Sequence, residues 1–175
     1  NPMSPRYDLI VLGGGAAGAA AALEAAARGL ATLLIDEAAA EGGPVHRAHA
    51  EGIAARPGDM ERAVGDALRH ALAESSVACA FGHRVWLLEE GFAVHALGPD
   101  GPVTFTGEAL VVATGALERH LPVPGWTLPG VVGLAAATVL LKSQAMLPGA
   151  RVLVAGSGPL LALVAAGILK SGGTV

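Results

Sequence analysis

The sequence predicts an α/β protein: a parallel sheet with crossover helices, a small antiparallel meander, and a second unit of the same kind begun near the end. Three observations carry this. Short apolar runs alternate with alanine-rich helical stretches, a glycine-rich turn follows the first run, and the same strand-and-glycine pattern returns 143 positions later.

The elements follow in order. Asp8 to Leu12 is a short apolar run of the kind that forms a buried parallel strand. After the glycines, Ala17 to Arg28 favours helix, and Gly29 stops it. "ATLLI", Ala31 to Ile35, is a second buried strand, so the first three elements make a βαβ unit whose right-handed crossover leaves both strands parallel. From Asp59, a capping residue, an amphipathic helix puts Met60, Ala63, Val64, Ala67, Leu68, Ala71 and Leu72 on one face. Short strands are then expected around Val77 to Phe81, Val85 to Leu88, Phe92 to Leu97 and Val103 to Thr106, with a turn at Gly98 to Gly101, as an antiparallel meander. "ALVVATG", Ala109 to Gly115, returns as a buried strand. Leu121 to Gly130 is a stiff connection through Pro122, Pro124 and Pro129, and Val131 to Lys142 reads as a helix. Arg151 to Ala155 is a last buried strand, followed by "GSGP" and a helix to Lys170. The domain boundaries expected are 1–120, a connection at 121–150, and the start of a second domain at 151–175.

The stretch "GGGAAGAAAA", Gly13 to Ala22, contains nothing larger than alanine. Its Gly13-x-Gly15-x-x-Gly18 spacing lies between a strand and a helix, the context of a dinucleotide fingerprint. The first glycine permits the tight turn, the second lets a pyrophosphate approach the backbone, and the third lets the helix pack closely on the strand. The helix N-terminus adds N–H groups and its dipole. Asp36 lies 23 positions after Gly13, where a carboxylate accepts the hydroxyls of an adenosine ribose and repels a 2′-phosphate. The unit is therefore Rossmann-like. A shift of 143 lays Gly13 on Gly156, Gly15 on Gly158, Ala22 on Ala165 and Gly29 on Gly172, which marks a second nucleotide site or a structural copy of the first. There Leu161 replaces the third glycine and should push the helix away from its strand.

Composition narrows the partners. A net charge of −4 without any Lys/Arg-rich block argues against nucleic acid or an anionic membrane surface. The apolar share of 53% is largely alanine, and the uncharged run Val152 to Leu169 is broken by "GSGP", so no membrane span is expected. A lone cysteine, Cys79, read as a buried spectator, excludes a dithiol motif within the chain. The N-terminal stretch shows no basic leader, and the cytoplasm is the expected location.

With "GGP" at Gly42 to Pro44 and "LVVATG" at Leu110 to Gly115 added to the two glycine motifs, the chain resembles the two-dinucleotide-binding-domain flavoproteins of the pyridine nucleotide-disulfide oxidoreductase superfamily. The resemblance covers nearly all of it. It implies an FAD/NAD(P)-binding domain in which Gly13, Gly15 and Gly18 hold the FAD pyrophosphate and Asp36 the ribose. Gly42 and Gly43 would pass close to the flavin or its phosphates, Ala113, Thr114 and Gly115 would lie along the cofactor, and Val85 would sit near the adenine. Gly156 and Gly158 would serve NAD(H) or its evolutionary remnant. Within the superfamily, "PGWTLPGV" and "LLKSQ…LPG…GSGPLL" are most similar to the FAD-binding α-type subunits of opine oxidases, D-hydroxyproline dehydrogenases and hydrogen cyanide synthases. That implies oxidation of a C–N bond in an amino or imino acid, with a catalytic partner subunit. The superfamily's closing Gly-Asp flavin contact has no counterpart here, so one wall of the FAD site is expected to be missing.

Other residues offer less. His46, Arg47 and His49 follow the Gly42–Gly43 turn near the place implied for the flavin ring, yet a solvated loop is the preferred reading for them. His70 and His83 have no metal-ligand spacing, Glu118, Arg119 and His120 read as a polar hinge, and Trp126 as a wedge between domains. No catalytic acid or base is expected, because the cofactor supplies the hard chemistry. An FAD-dependent oxidoreductase is the leading expectation. The alternatives are an NADH-dependent flavin reductase and a non-catalytic nucleotide-binding assembly subunit.

Overall fold

Successive side chains of the first strand point to opposite faces of a sheet, and each face has its own core. Ile10 and Leu12 join Leu33, Ile35, Ala80, Val94, Ala96 and Phe105 on one side; Val11 joins Leu34, Ala19, Ala22, Leu72 and Val77 on the other. The computed structural model from which this is read describes residues 6–40, 42–43, 46 and 60–175. Pro44, Arg47, His49 and Asp59, to which the sequence assigns roles, lie outside the described residues.

The elements are β1 (Arg6–Leu12), α1 (Ala16–Ala27), β2 (Thr32–Asp36), α2 (Met60–Ala73), β3 (Ala78–Phe81), β4 (Arg84–Glu89), β5 (Ala93–Gly98), β6 (Gly101–Val112), α3 (Leu134–Ser143) and α4 (Pro159–Lys170). The α/β class is as expected. One six-stranded sheet runs in the order β3-β2-β1-β6-β5-β4. β1 pairs in parallel with both β2 and β6, and β4, β5 and β6 form the antiparallel meander. The chain leaves β1 toward β2 on one side and meets β6 on the other, so the strand order reverses at the C-terminal end of β1. In open α/β sheets that crevice is where ligands sit.

Several expectations change. β3 pairs in parallel with β2 instead of opening the meander. The two strands expected at Val103 to Thr106 and Ala109 to Gly115 are one, β6, whose first half pairs with β5 and whose second half pairs with β1. At Gly107, where the partner changes, a Cβ would lie 3.0 Å from the Ile10 Cγ1, a tight contact. The end of β6 is less buried than expected, with Leu110 and Val111 half-buried and Val112 exposed. On α2 the side turned inward is Gly65, Leu68, Arg69 and Leu72, while Ala63, Val64, Ala67 and Ala71 are exposed. Cys79 is exposed, because β3 lies at the edge of the sheet.

Among the described residues a second compact unit begins at Ala116. Its helix α3 starts at Leu134, with Gly133 as N-cap, later than the sequence predicts. Glu118 is not a hinge residue: its two carboxylate oxygens accept the N–H groups of Leu134 (2.6 Å) and Ala135 (2.9 Å), capping α3 from 16 residues away. The proline-rich segment between them is closed by successive turns, with Trp126 N–H on the Val123 carbonyl, Leu128 on Gly125 and Val131 on Leu128.

The internal repeat is visible in three dimensions. α4, Pro159–Lys170, is α1, Ala16–Ala27, shifted by 143 positions. The helix-ending glycines match, at φ +81° for Gly29 and +86° for Gly172. The bond from Leu9 N–H to the Ala31 carbonyl (3.2 Å) returns as Val152 N–H to the Thr174 carbonyl (2.9 Å). Arg151 and Thr174 accordingly form a parallel bridge, the start of a second βαβ crossover. Arg151 to Ala155 is not the buried strand expected, since only that bridge pairs it and its residues alternate between exposed and half-buried. No helix of the described residues is long and apolar enough to cross a membrane.

Candidate functional site

The three glycines of the first loop have different surroundings. Gly13 has φ +105°, where L side chains are strained, and a Cβ there would lie 2.3 Å from the Ala113 carbonyl oxygen. Gly18, inside α1, would place a Cβ 1.8 Å from the Gly13 oxygen. Gly15 is unlike both: it is the N-cap of α1 at φ −71°, and among the described residues nothing lies within 4 Å of where its Cβ would be. Crowding thus explains two of the three, and the third stands at a helix N-terminus clear of the other described residues. Among the described residues no side chain caps that terminus, and no acidic residue stands in its first turn.

Three distant segments meet at this loop. Ala113 N–H donates to the Leu12 carbonyl (2.8 Å), which sets the Ala113–Thr114 backbone against Gly13; Thr114 and Gly115 follow, both exposed. Gly42 N–H donates to the Gly14 carbonyl (2.8 Å), and Gly43 lies against Gly15, its Cβ position 3.1 Å from the Gly15 Cα. Asp36, ending β2, accepts the N–H groups of Gly14 (2.5 Å) and Ala38 (2.7 Å) on its two oxygens. The carboxylate therefore ties the glycine loop to the end of β2, and each oxygen retains a lone pair for a further donor. Asp36→Ala leaves both N–H groups without this acceptor and is expected to lower the unfolding free energy by about 2 kcal/mol, measured by urea unfolding. An unchanged midpoint would show that these bonds do not hold the turn.

Val85 lies one turn away from this cluster. It pairs with Ala96 and packs on the core that contains Ile35, while the turn before it bonds to the end of β2 through Gly82 N–H to Ala38 O (2.9 Å) and His83 N–H to Asp36 O (3.0 Å). Gly13, Gly15, Gly18, Asp36, Gly42, Gly43 and Ala113 are thus linked by direct contacts, and Val85 follows the turn that bonds to the end of β2.

Two residues of the site were not legible in the sequence. Arg69, on α2, donates from Nη1 to the His46 carbonyl (2.7 Å), and Gly65, one turn before it, would place a Cβ 3.0 Å from the same oxygen. In the sequence Arg69 is only the i+3 partner of Asp66, an ordinary helix-surface pair. Its hydrogen bond to the Asp66 carboxylate, with added attraction from Arg62, holds the Asp66 pKa below its usual 3.8. The pair is consequently formed at neutral pH and weakens only as pH falls through that lowered value.

The second loop repeats the spacing with a different backbone. Gly158 caps α4 at φ +108°, where its counterpart Gly15 has −71°. Leu161 stands where Gly18 is, and its Cδ1 lies 3.0 Å from the Cβ position of Gly156. A side chain at this point prevents the contact that Gly18 makes with Gly13, so helix and loop cannot close in the same way. Pro159, first in the helix, also removes one N–H.

Comparison with known proteins gives the same picture. The chain is 38% identical over 184 residues to the A-type subunit of opine oxidase from Agrobacterium tumefaciens, covering 97% of this chain and 36% of that protein. It is 36% identical to the HcnB subunit of hydrogen cyanide synthase from Pseudomonas aeruginosa, over 93% of this chain and 36% of the relative. It therefore spans little more than a third of these relatives' length. Among solved structures, L-proline dehydrogenase from P. horikoshii superposes over 99% of this chain and 36% of its own, with a TM-score of 0.79 at 24% identity, which shows the shared fold. The family model described as pyridine nucleotide-disulphide oxidoreductase matches residues 7–174. That match covers both units, and the chain belongs to the pyridine nucleotide-disulphide oxidoreductase family.

Proposed function

We propose that the chain binds FAD at the first glycine loop and is the flavin-binding part of an oxidoreductase that acts on the C–N bond of an amino or imino acid. The observation that carries this is the space at Gly15 that the described residues leave clear, next to Gly43 and the α1 N-terminus, with Ala113 against Gly13 and Asp36 bonded to Gly14. That is a cradle for an anionic diphosphate next to an acceptor for ribose hydroxyls. In this reading Gly13 and Gly18 shape the loop, Gly15 borders the pyrophosphate, and Asp36 takes the ribose. Gly42, Gly43 and Ala113 to Gly115 line the way to the flavin, and Val85 the adenine side. FAD, when bound, supplies the electron-accepting chemistry.

The relatives are named as subunits, which supports a catalytic partner, and the name opine oxidase supports the amino- or imino-acid class. Cys79 is the only cysteine of the chain, so no dithiol within it reacts with the flavin. At the second loop the fit to NAD(H) is poorer: Gly156 and Gly158 are in place, but Leu161 and the altered Gly158 backbone take away the close helix–loop contact. The nucleotide chemistry is accordingly assigned to the first loop.

Denaturing the purified full-length protein should release a small molecule with the mass of FAD. A colourless preparation that cannot be reconstituted with FAD overturns the reading. Turnover of amino or imino acids with an artificial electron acceptor separates the oxidoreductase from a non-catalytic assembly role, and bleaching of the flavin by NADH would restore the second loop as a nicotinamide site.

A further inference from the structure

We infer that Arg69 is a positioning residue for the cofactor site, acting through its bond to His46 and the bond from His46 to Gly42; the inference rests on the FAD reading above. The connection is a relay of hydrogen bonds. Arg69 Nη1 donates to the His46 carbonyl (2.7 Å), His46 N–H to the Gly42 carbonyl (3.0 Å), Gly42 N–H to the Gly14 carbonyl (2.8 Å), and Gly14 N–H to Asp36 (2.5 Å). One guanidinium on α2 is thereby linked to the residue that would take the ribose and to the loop that would border the diphosphate.

The turn needs such an anchor. Gly42 and Gly43 both adopt positive φ, +111° and +57°, and two adjacent glycines leave the chain more conformations than any other pair. A charged donor on a carbonyl is a stronger restraint than a neutral one. The guanidinium is itself held, with Nη2 on the Asp66 carboxylate at 2.5 Å and the side chain only 19% exposed. Gly65 gives the approach its room, since a methyl group there would meet both the His46 oxygen (3.0 Å) and Arg69 Nη2 (3.2 Å). That accounts for a buried glycine in the middle of α2, where helix propensity alone would favour almost any other residue.

A purely structural Arg69 would pin α2 without affecting the cofactor, so the test reads the cofactor. The full-length protein, stripped of flavin, is titrated with FAD by fluorescence quenching, and the bound flavin's visible circular dichroism is recorded. R69Q should weaken FAD binding about tenfold, the effect of a lost charged hydrogen bond, and alter the dichroism. R69K, which keeps the charge and one bond, should recover much of the affinity. An R69Q protein with wild-type affinity and dichroism overturns the inference even if it melts earlier. If R69Q does not fold, D66A carries the test, because it takes away the acceptor that holds the guanidinium without removing the guanidinium: a loss of roughly threefold is expected, and wild-type affinity overturns the inference. A wild-type protein that takes no FAD overturns the FAD reading itself, and this inference with it.

Discussion

Replacing Gly15 with valine is expected to weaken FAD binding roughly a hundredfold while leaving the protein folded. The structure separates the two effects. At φ −71° and ψ −178° the backbone is one that any residue adopts, and no atom of the described residues lies within 4 Å of the Cβ position, so a Cβ is accommodated there without overlap with them. The cost to the fold is confined to a poorer N-cap, a few tenths to about 1 kcal/mol. The cost to binding is larger. If a diphosphate occupies that space, two methyl groups displace it from the backbone N–H groups that hold it, and a loss of roughly hundredfold, about 2.7 kcal/mol, follows. FAD titration and thermal unfolding on the same preparation decide the matter. Undiminished affinity would mean that the open space at Gly15 is not where the cofactor's phosphates lie.

Gly18→Ala should do the reverse and damage the fold first. Helix propensity alone favours alanine by about 1 kcal/mol. Against this stands a Cβ 1.8 Å from the Gly13 carbonyl oxygen and 3.3 Å from the Ala113 Cβ. The first of these is a main-chain atom of a loop tied to Ile35 by a 2.7 Å hydrogen bond, so no rotamer change relieves the overlap. Overpacking of a fitted interior costs about 1–3 kcal/mol and more where backbone must move, so the clash outweighs the propensity. A fall in melting temperature of several degrees is expected, at roughly 2–4 °C per kcal/mol for a chain of this size. FAD affinity should fall with it, because α1 can move only by carrying its N-terminus away from the loop. A protein as stable as the wild type would show that helix and loop are not in contact at Gly18. Leu161 occupies the matching position in the second unit, where the Gly156 loop has a different backbone, which is the accommodation this prediction requires.

Much of this was legible in the amino-acid order because the signals are local. A glycine spacing, an acid at the end of an apolar run and an alanine-rich helix each report on a few neighbouring residues, and together they identified the βαβ unit, its loop and Asp36. The shift of 143 was legible for the same reason, and α4 begins and ends where the shift puts it. What was misread depends on pairing. The strand Ala78–Phe81 has the same short apolar character whether it joins a meander or extends a parallel sheet, and only its neighbour β2 decides. Two short runs became the single strand β6 because its first half pairs with β5 and its second half with β1. Glu118 looked like a hinge residue because the helix it caps begins 16 positions later.

By itself the sequence determined the α/β class, the loop that would face a diphosphate, the residue at the end of the second strand and the repetition of the unit. These are set by backbone freedom and side-chain size at particular positions, which are properties of the residues themselves. Only the tertiary structure decided that Gly15 alone of the three glycines is clear of the other described residues, that Gly42 bonds to Gly14, and that Arg69 bonds to the His46 carbonyl. Those facts depend on where a carbonyl of one segment meets an N–H or a guanidinium of another, about 20 or more residues away, and no local pattern encodes such a meeting.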